Sequence, residues 1–303
     1  SCGSKGLVMS LASKQHQPPL AKKGANRLKK VFHPRLMIDY AILLFFTVVL
    51  LTPILWLVLA TFKTNQEILI DPSFFPSSLN TQGWRDAFTK TNLVGVFLNS
   101  FIISSSSTLS VLLVASMAAY PLARFTFFGK NFLTVFFSLG IIVPVTALIV
   151  PELYLMYTLR LHDTKIGLIL LYTALFFPIS FLILRAFFLS IPQSLEEAAI
   201  IDGASYWTLL ARIVLPLSGP GLSTVAVLVF IWTWNEFLYS LLMMASERNR
   251  TVQVAIKFFT AQFDFNLPGM FAAVTLVMLV PIVVFLLLQE KVVSGLTAGA
   301  TKQ

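Results

Sequence analysis

Residues 190–219 read SIPQSLEEAAIIDGASYWTLLARIVLPLSG, a polar stretch between two long apolar ones. Pro192 suits the first turn of a helix, where its missing N–H costs nothing. Ser194 and Glu197 have the three-residue spacing of a capping box, and Gly203 can adopt the left-handed conformation that ends a helix. The first half of the stretch therefore predicts a short helix followed by a sharp turn.

The second half of the stretch predicts a second short helix. Ser205 is a suitable N-cap, and Pro216 should stop the helix just before it. One side of this helix is apolar, with Trp207, Leu210, Ile213 and Val214. Together the two halves predict a helix-turn-helix lying across a membrane face, a shape suited to docking another protein.

The composition is that of a membrane protein. Hydrophobic residues make up 57% of the 303 residues and charged residues 12%, with a mean hydropathy of +0.83. Soluble domains carry about 25% charged residues, so lipid must cover much of this surface. The only cysteine, Cys2, excludes an internal disulfide and a cysteine-rich metal site.

Apolar segments long enough to cross a bilayer of about 30 Å predict an all-α integral membrane protein with six transmembrane helices. The predicted spans are residues 38–62, 96–121, 132–157, 166–189, 220–243 and 270–288. Residues 1–37 are predicted to be a basic arm and residues 290–303 a C-terminal tail. In the loop 244–269, residues 251–263 have an amphipathic pattern.

The distribution of charge predicts the orientation. Of the 22 Lys and Arg residues, 14 lie on the side of the N-terminus and eight on the other side, and the arm alone carries eight. Lys and Arg concentrate on the cytoplasmic side of membrane proteins. Both termini and residues 190–219 are therefore predicted to be cytoplasmic, and the net charge of +9 needs no nucleic-acid partner.

The sequence offers no catalytic chemistry of its own. It contains no G-x-x-x-x-G-K-[ST] phosphate loop, and its three histidines, His16, His33 and His162, lie far apart. No spacing suits a zinc site or a nucleophile with its base, so we predict no catalytic and no metal-binding residue. A secondary transporter remains an alternative, although it would need buried ionisable groups and an internal repeat.

The polar stretch resembles the EAA loop of bacterial ABC-importer permeases. That family has EAA, three residues, G, nine residues and I-x-L-P, and every fixed position is present here, from Glu197 to Pro216. In the family the loop inserts into a cleft on a cytoplasmic ATPase. The resemblance implies a six-span permease domain over 38–289 with a coupling loop at 190–219. It also implies an ATPase-coupling role for Glu196, Glu197, Ala198, Ala199, Asp202, Gly203, Ile213, Leu215 and Pro216.

Shorter segments resemble the smaller permease of maltose-type carbohydrate importers. They are residues 61–63, 98–100, 119–124, 234–237 and 293–300. This resemblance implies a permease of the bacterial inner membrane that imports a sugar or sugar derivative. Its implied partners are a second permease, two ATPase subunits and an external binding protein that meets the loop 244–269. ATP and magnesium would bind to the ATPase, with no cofactor on this chain, and the C-terminal tail would approach the ATPase interface.

Within the superfamily, an importer of amino acids, peptides, polyamines or phosphonates is an alternative, because those permeases share the EAA loop. Polar side chains inside spans are candidates for the substrate path. We predict that Asn99, Asn235 and Glu236 line its outer part and that Trp232 offers a flat apolar face to a sugar ring. The alternative is that these residues cap helices, bond between helices or, for Trp232, sit in the interfacial belt.

Overall fold

The computed structural model describes residues 34–71, 73–89, 92–261 and 265–300. Regular structure in these residues is helical, with no strand, which confirms the all-α prediction. In chain order the α-helices are α1 Pro34–Ala60, α2 Asn65–Leu69, α3 Gln82–Thr89, α4 Leu93–Arg124, α5 Lys130–Leu139, α6 Val145–Thr158, α7 Lys165–Ser190, α8 Gln193–Ile201, α9 Tyr206–Leu209, α10 Leu215–Leu217, α11 Gly219–Asn235, α12 Leu238–Met243, α13 Val252–Ala261 and α14 Leu267–Ala300.

Four of the described helices are long and apolar enough to cross a membrane. They are Leu36–Ala60, Leu93–Arg124, Lys165–Ser190 and Leu267–Gln289. A fifth span is obtained if Tyr206–Leu217 and Gly219–Asn235, which meet at a 78° bend, are counted as one. The spans predicted first, second, fourth and sixth correspond to α1, α4, α7 and α14, whereas the total of six stays a prediction.

The predicted third and fifth spans are both broken. Residues 132–157 form α5 and α6, with an irregular segment at 140–144 that ends where Pro144 caps α6. A residue before proline is pushed out of the helical conformation, which explains the break. Residues 220–243 form α11 and α12, which are interrupted at Glu236 and Phe237.

The described residues divide between Leu55 and Trp56 into two compact units. In the first, the side chains from Leu36 to Leu55 are exposed. Thr47 and Thr52 each donate a 2.7 Å hydrogen bond to the carbonyl four residues earlier, which satisfies their hydroxyls within the helix. Residues 1–33 of the predicted arm lie outside the described residues.

The core of the second unit is built around α4. It contributes to all three buried apolar clusters, through Val111 and Ala115 in one, Leu93 and Val96 in another, and Ile103 in the third. The helices that pack on it include α7 and α11. Residues 290–300, predicted to be a tail, continue α14, whereas residues 301–303 lie outside the described residues. The predicted amphipathic piece is helix α13, up to Ala261.

Candidate docking loop and candidate translocation pocket

The turn between α8 and α9 is a Schellman motif built on Gly203. Its φ is +82°, in the left-handed region that glycine adopts without steric cost. The Ala204 N–H donates to the Ala199 carbonyl at 2.9 Å, and the Gly203 N–H donates to the Ile200 carbonyl at 2.9 Å. These are the two bonds of that motif, so the predicted left-handed helix end is confirmed.

Two details of the loop differ from the sequence prediction. Helix α8 begins at Gln193 with Pro192 as N-cap and no side-chain cap, so the predicted capping box of Ser194 and Glu197 is wrong. The next helix does not stop before Pro216, because residues 210–214 form a π-helical turn that leads into α10. A π turn bonds five residues back, which leaves room for a proline ring that would clash in an α-helix. Ser205 caps α9 as predicted, accepting from the Thr208 N–H.

The loop exposes large apolar side chains on α8 and α9. Ile201 is 85% exposed and Trp207 59%, and Ile200 is also exposed. Of the nine predicted coupling residues, five are exposed: Glu197, Ala198, Asp202, Gly203 and Pro216. Three others are half-buried against the nearest apolar cluster: Ala199, Ile213 and Leu215. The loop thus packs partly on the bundle and leaves three large apolar side chains exposed, Ile200, Ile201 and Trp207, here together called the docking face.

The ninth predicted residue, Glu196, points into the protein. Its side chain forms an ion pair with Arg124 at the end of α4, with Arg124 Nε 2.6 Å from Glu196 Oε1. The Nε–H is not well directed at that oxygen, so the contact is an ion pair and not a linear hydrogen bond. The Tyr120 hydroxyl donates to the other carboxylate oxygen at 2.9 Å, and Arg124 Nη2 donates to the Ile191 carbonyl at 2.7 Å. Sequence reasoning missed this cluster, because nothing local links residues 76 positions apart.

Three of the four predicted path residues line one cavity. It has a volume of about 420 Å³ and is lined by Trp232, Asn235 and Glu236, with Ile141, Phe176, Ile179 and Ile231. The Trp232 and Phe176 rings stack with their centroids 5.5 Å apart. The lining thus combines aromatic faces with a carboxylate and an amide, the mixture that a polar ligand with apolar faces requires.

Glu236 organises the break in the helix beside this cavity. Its carboxylate accepts hydrogen bonds from the N–H groups of Tyr239, at 2.9 Å, and Ser240, at 3.1 Å, and so caps α12. The Tyr172 hydroxyl of α7 donates to the same carboxylate at 2.7 Å. Asn235 is exposed and donates to the Ile231 carbonyl of its own helix. Glu236 therefore caps a helix, as the alternative interpretation has it, and also lines this cavity, whereas its place on the substrate path stays a prediction.

Asn99 lies away from this cavity. It is 5% exposed, and its amide nitrogen donates to the carbonyls of Arg248 and Arg250 at 2.8 and 3.0 Å. The side chain thus ties α4 to the loop that follows α12, and its place on the substrate path stays a prediction. Among the residues that the structure describes, no three His, Cys, Asp or Glu side chains converge to hold a metal ion.

Long apolar helices, a cavity with two polar side chains beside a helix break and an exposed docking loop are features of a membrane transport protein. Residues 111–297 match the family described as binding-protein-dependent transport system inner membrane component. This match covers more than half of the chain, so the chain belongs to that family, the permeases of ABC importers. The resemblance predicted from the EAA loop is confirmed.

Relatives and a solved structure agree with the family. The chain is 36% identical over 257 residues to the sulfoquinovosyl glycerol transport system permease protein of Agrobacterium fabrum, covering 83% of this chain and 89% of that protein. It is 36% identical over 254 residues to the trehalose transport system permease protein of Mycobacterium tuberculosis, covering 83% and 92%. A chain of a bacterial ABC transporter involved in import of the acidic polysaccharide alginate has the same fold, with a TM-score of 0.73 and 17% identity, covering 91% and 99%.

Proposed function

We propose that this chain is the smaller permease of a sugar importer and that residues 190–219 couple it to a cytoplasmic ATPase. The observation that carries the coupling proposal is the docking face. Ile201 and Trp207 remain 85% and 59% exposed although the other side of the loop packs on the bundle. Large exposed apolar side chains next to a packed, shaped turn are typical of a protein–protein contact.

The proposed topology has six spans, with both termini and the coupling loop in the cytoplasm. The long helices supply four spans by length and composition. The broken pairs α5–α6 and α11–α12 would supply the other two, because helix breaks are tolerated in membranes where they lie against protein or line a cavity. The break between α11 and α12 at Glu236 fits the same rule, since that residue lines a cavity. The excess of Lys and Arg on the side of the N-terminus supports the orientation.

The proposed substrate is a sugar or sugar derivative. Similar permeases are described as serving trehalose and sulfoquinovosyl glycerol. The cavity beside Trp232 has aromatic faces for the apolar side of a sugar ring, and Asn235 and Glu236 can bond to its hydroxyls. Asn99, Asn235 and Glu236 are proposed to line the outer part of the path.

The proposed assembly contains a second, related permease, two ATPase subunits and an external binding protein that meets the loop 244–269. ATP and magnesium would bind to the ATPase subunits, and this chain would hold no cofactor. ATP binding would then turn the permeases from inward-facing to outward-facing, because it favours the state in which the ATPase subunits are closed.

The first experiment is a pull-down in mild detergent from the native membrane, comparing the parent chain with Ile201→Asp. The parent should bring down an ATPase and a second permease. A charge at the centre of the docking face should lower ATPase recovery about tenfold or more, as expected for an interface hot spot. Phe128→Asp is the matched control, because Phe128 is a fully exposed apolar side chain in the loop between α4 and α5.

Recovery of the parent chain alone, stable and monodisperse, would refute the proposed assembly and the coupling role of residues 190–219. Equal ATPase recovery by Ile201→Asp and the parent would refute the docking face. The substrate class is tested separately by uptake into proteoliposomes. Competition by disaccharides supports the sugar proposal, whereas competition only by amino acids, peptides or polyamines would replace it.

A further inference from the structure

Helix α4 carries a polar clamp at each of its ends. At the end near Arg124, the ion pair with Glu196 and the Tyr120 hydrogen bond join it to the docking loop. At the other end, Asn99 and Ser100 join it to the loop after α12. The two clamps are separated by 21 residues from Asn99 to Tyr120, about 32 Å along the helix, which is close to the thickness of the bilayer core.

We propose that α4 is the element that carries movement of the docking loop to the loop at 246–252 on the opposite side of the membrane, with Glu196 and Asn99 as its positioning residues. The proposal rests on the proposed function, since it needs an ATPase at the docking face. It assigns Glu196 a role inside the permease that differs from the direct ATPase contact implied by the EAA resemblance.

The clamp at the Arg124 end of α4, here called the inner clamp, makes the docking loop and α4 move together. The Arg124 and Glu196 side chains are 5% and 9% exposed, so the pair lies in a nearly dry environment. Separating the two groups would leave both charges buried without a partner, which is strongly unfavourable. Any displacement of α8 by a bound ATPase is therefore passed on to the end of α4.

The clamp at the Asn99 end of α4, here called the outer clamp, makes α4 and the loop 246–252 move together. The Asn99 amide nitrogen bonds to two carbonyls of that loop, and the Ser100 hydroxyl accepts from the Val252 N–H at 2.8 Å. Asn99 is 5% and Ser100 2% exposed, so water cannot replace these bonds easily. If α4 moved without the loop, buried donors would lose their partners.

The loop after α12 is held as one piece. The Asp163 carboxylate accepts from the N–H and the hydroxyl of Ser246, both at 3.0 Å, and the Asp163 carbonyl accepts from Asn249 at 2.6 Å. A loop tied at several points transmits a displacement as a unit and does not absorb it by bending. Movement imposed through Asn99 would therefore reach Glu247, which is exposed on this loop.

The proposal is tested by changing the state of the ATPase on one side of the membrane and measuring a fluorescent label on the other side. Cys2 is the only cysteine, so it is replaced and a fluorescent label is placed at Glu247→Cys in the complex with its ATPase and second permease. ATP with vanadate is then added, and the change in label fluorescence is measured. We expect a clear response in the parent and a loss of about fivefold or more in Glu196→Gln and in Asn99→Leu.

Two further variants distinguish a loss of the movement carried by α4, here called the relay, from general damage to the fold. Thr108→Val is the matched control, because the Thr108 hydroxyl in the middle of α4 bonds only to the Ser104 carbonyl of the same helix and should leave the response unchanged. Tyr120→Phe removes one hydroxyl and keeps the ion pair, so a smaller loss is expected there than in Glu196→Gln.

The outcomes distinguish this proposal from the proposed function. A parent complex without an ATPase would overturn the proposed function and the relay with it. A complex that contains the ATPase overturns the relay alone in any of three cases: its parent label does not respond, Glu196→Gln responds as the parent does, or Asn99→Leu responds as the parent does.

Discussion

Replacing Gly203 tests the shape of the docking loop most directly. A Cβ added at this position meets nothing within 4 Å, so the substitution creates no clash. Its cost is conformational, because φ is +82° and both bonds of the Schellman turn depend on that value. A non-glycine residue in the left-handed conformation costs about 1–2 kcal/mol, and a β-branched residue such as valine lies at or above the upper end.

Such a cost lowers the population of the native turn about 5–30-fold relative to alternative turns. In Gly203→Val we therefore expect α9 and the docking face to change direction relative to α8. The assay is sugar uptake and ATP hydrolysis counted in the same proteoliposomes. Uptake per ATP hydrolysed should fall about 5-fold or more, while the spans still insert.

Two further variants serve as a control and as an intermediate case for this prediction. Gly219 also has open space around its Cβ but lacks a positive φ, so Gly219→Val should change uptake per ATP far less. Asparagine tolerates the left-handed conformation, so Gly203→Asn should fall between the parent and Gly203→Val. Normal coupled transport by Gly203→Val would refute the reasoning, because the loop would then not depend on the left-handed turn.

The remaining predictions concern the cavity, helix packing and the segment after α1. Glu236→Gln removes a charge and one acceptor beside the cavity, so import should fall while assembly and ATPase stimulation persist; unchanged import would contradict the path proposal. Gly221→Ala would place a methyl group 2.4 Å from Phe187 Cγ, so we expect a loss of about 1–3 kcal/mol in stability, seen as earlier thermal unfolding in detergent. Hydrogen bonds, above all from the Ser77 hydroxyl, lower the pKa of Glu67 from 4.5 to about 2. The ionised carboxylate therefore stabilises this segment fully above pH 4.5, and the contribution is lost as the pH falls through about 2. Ser77→Ala should raise this pKa in an NMR titration of the carboxyl group, and an unchanged value would contradict the assigned cause.

The sequence determined the class of protein because the relevant signals are local. Mean hydropathy and apolar segment length predict an all-α membrane protein, and the long helices α1, α4, α7 and α14 follow the predicted spans. The register of the EAA loop depends on fixed spacings, and its left-handed turn at Gly203 needs a residue type that can be read directly. Family membership could therefore be predicted without a structure.

Predictions from local sequence failed where nearby residues or a bond from a distant segment changed the local structure. Pro216 was expected to stop a helix, but the π turn at 210–214 carries the chain past it. The capping box was expected from spacing alone, whereas α8 begins earlier at Gln193. The break at Glu236 could not be predicted, because it depends on a carboxylate that caps α12 and accepts from Tyr172 on another helix.

The tertiary structure alone decided which partner each buried polar side chain has. Glu196 and Glu197 are neighbours in the sequence, yet a step of about 100° around the helix buries one against Arg124 and leaves the other exposed. Asn99 and Asn235 are both predicted to lie on the path, but the structure places only Asn235 at the cavity and binds Asn99 to the loop after α12. Spacing along the chain fixes helices and turns, whereas the partner of a buried polar group is chosen by contacts between segments far apart in sequence.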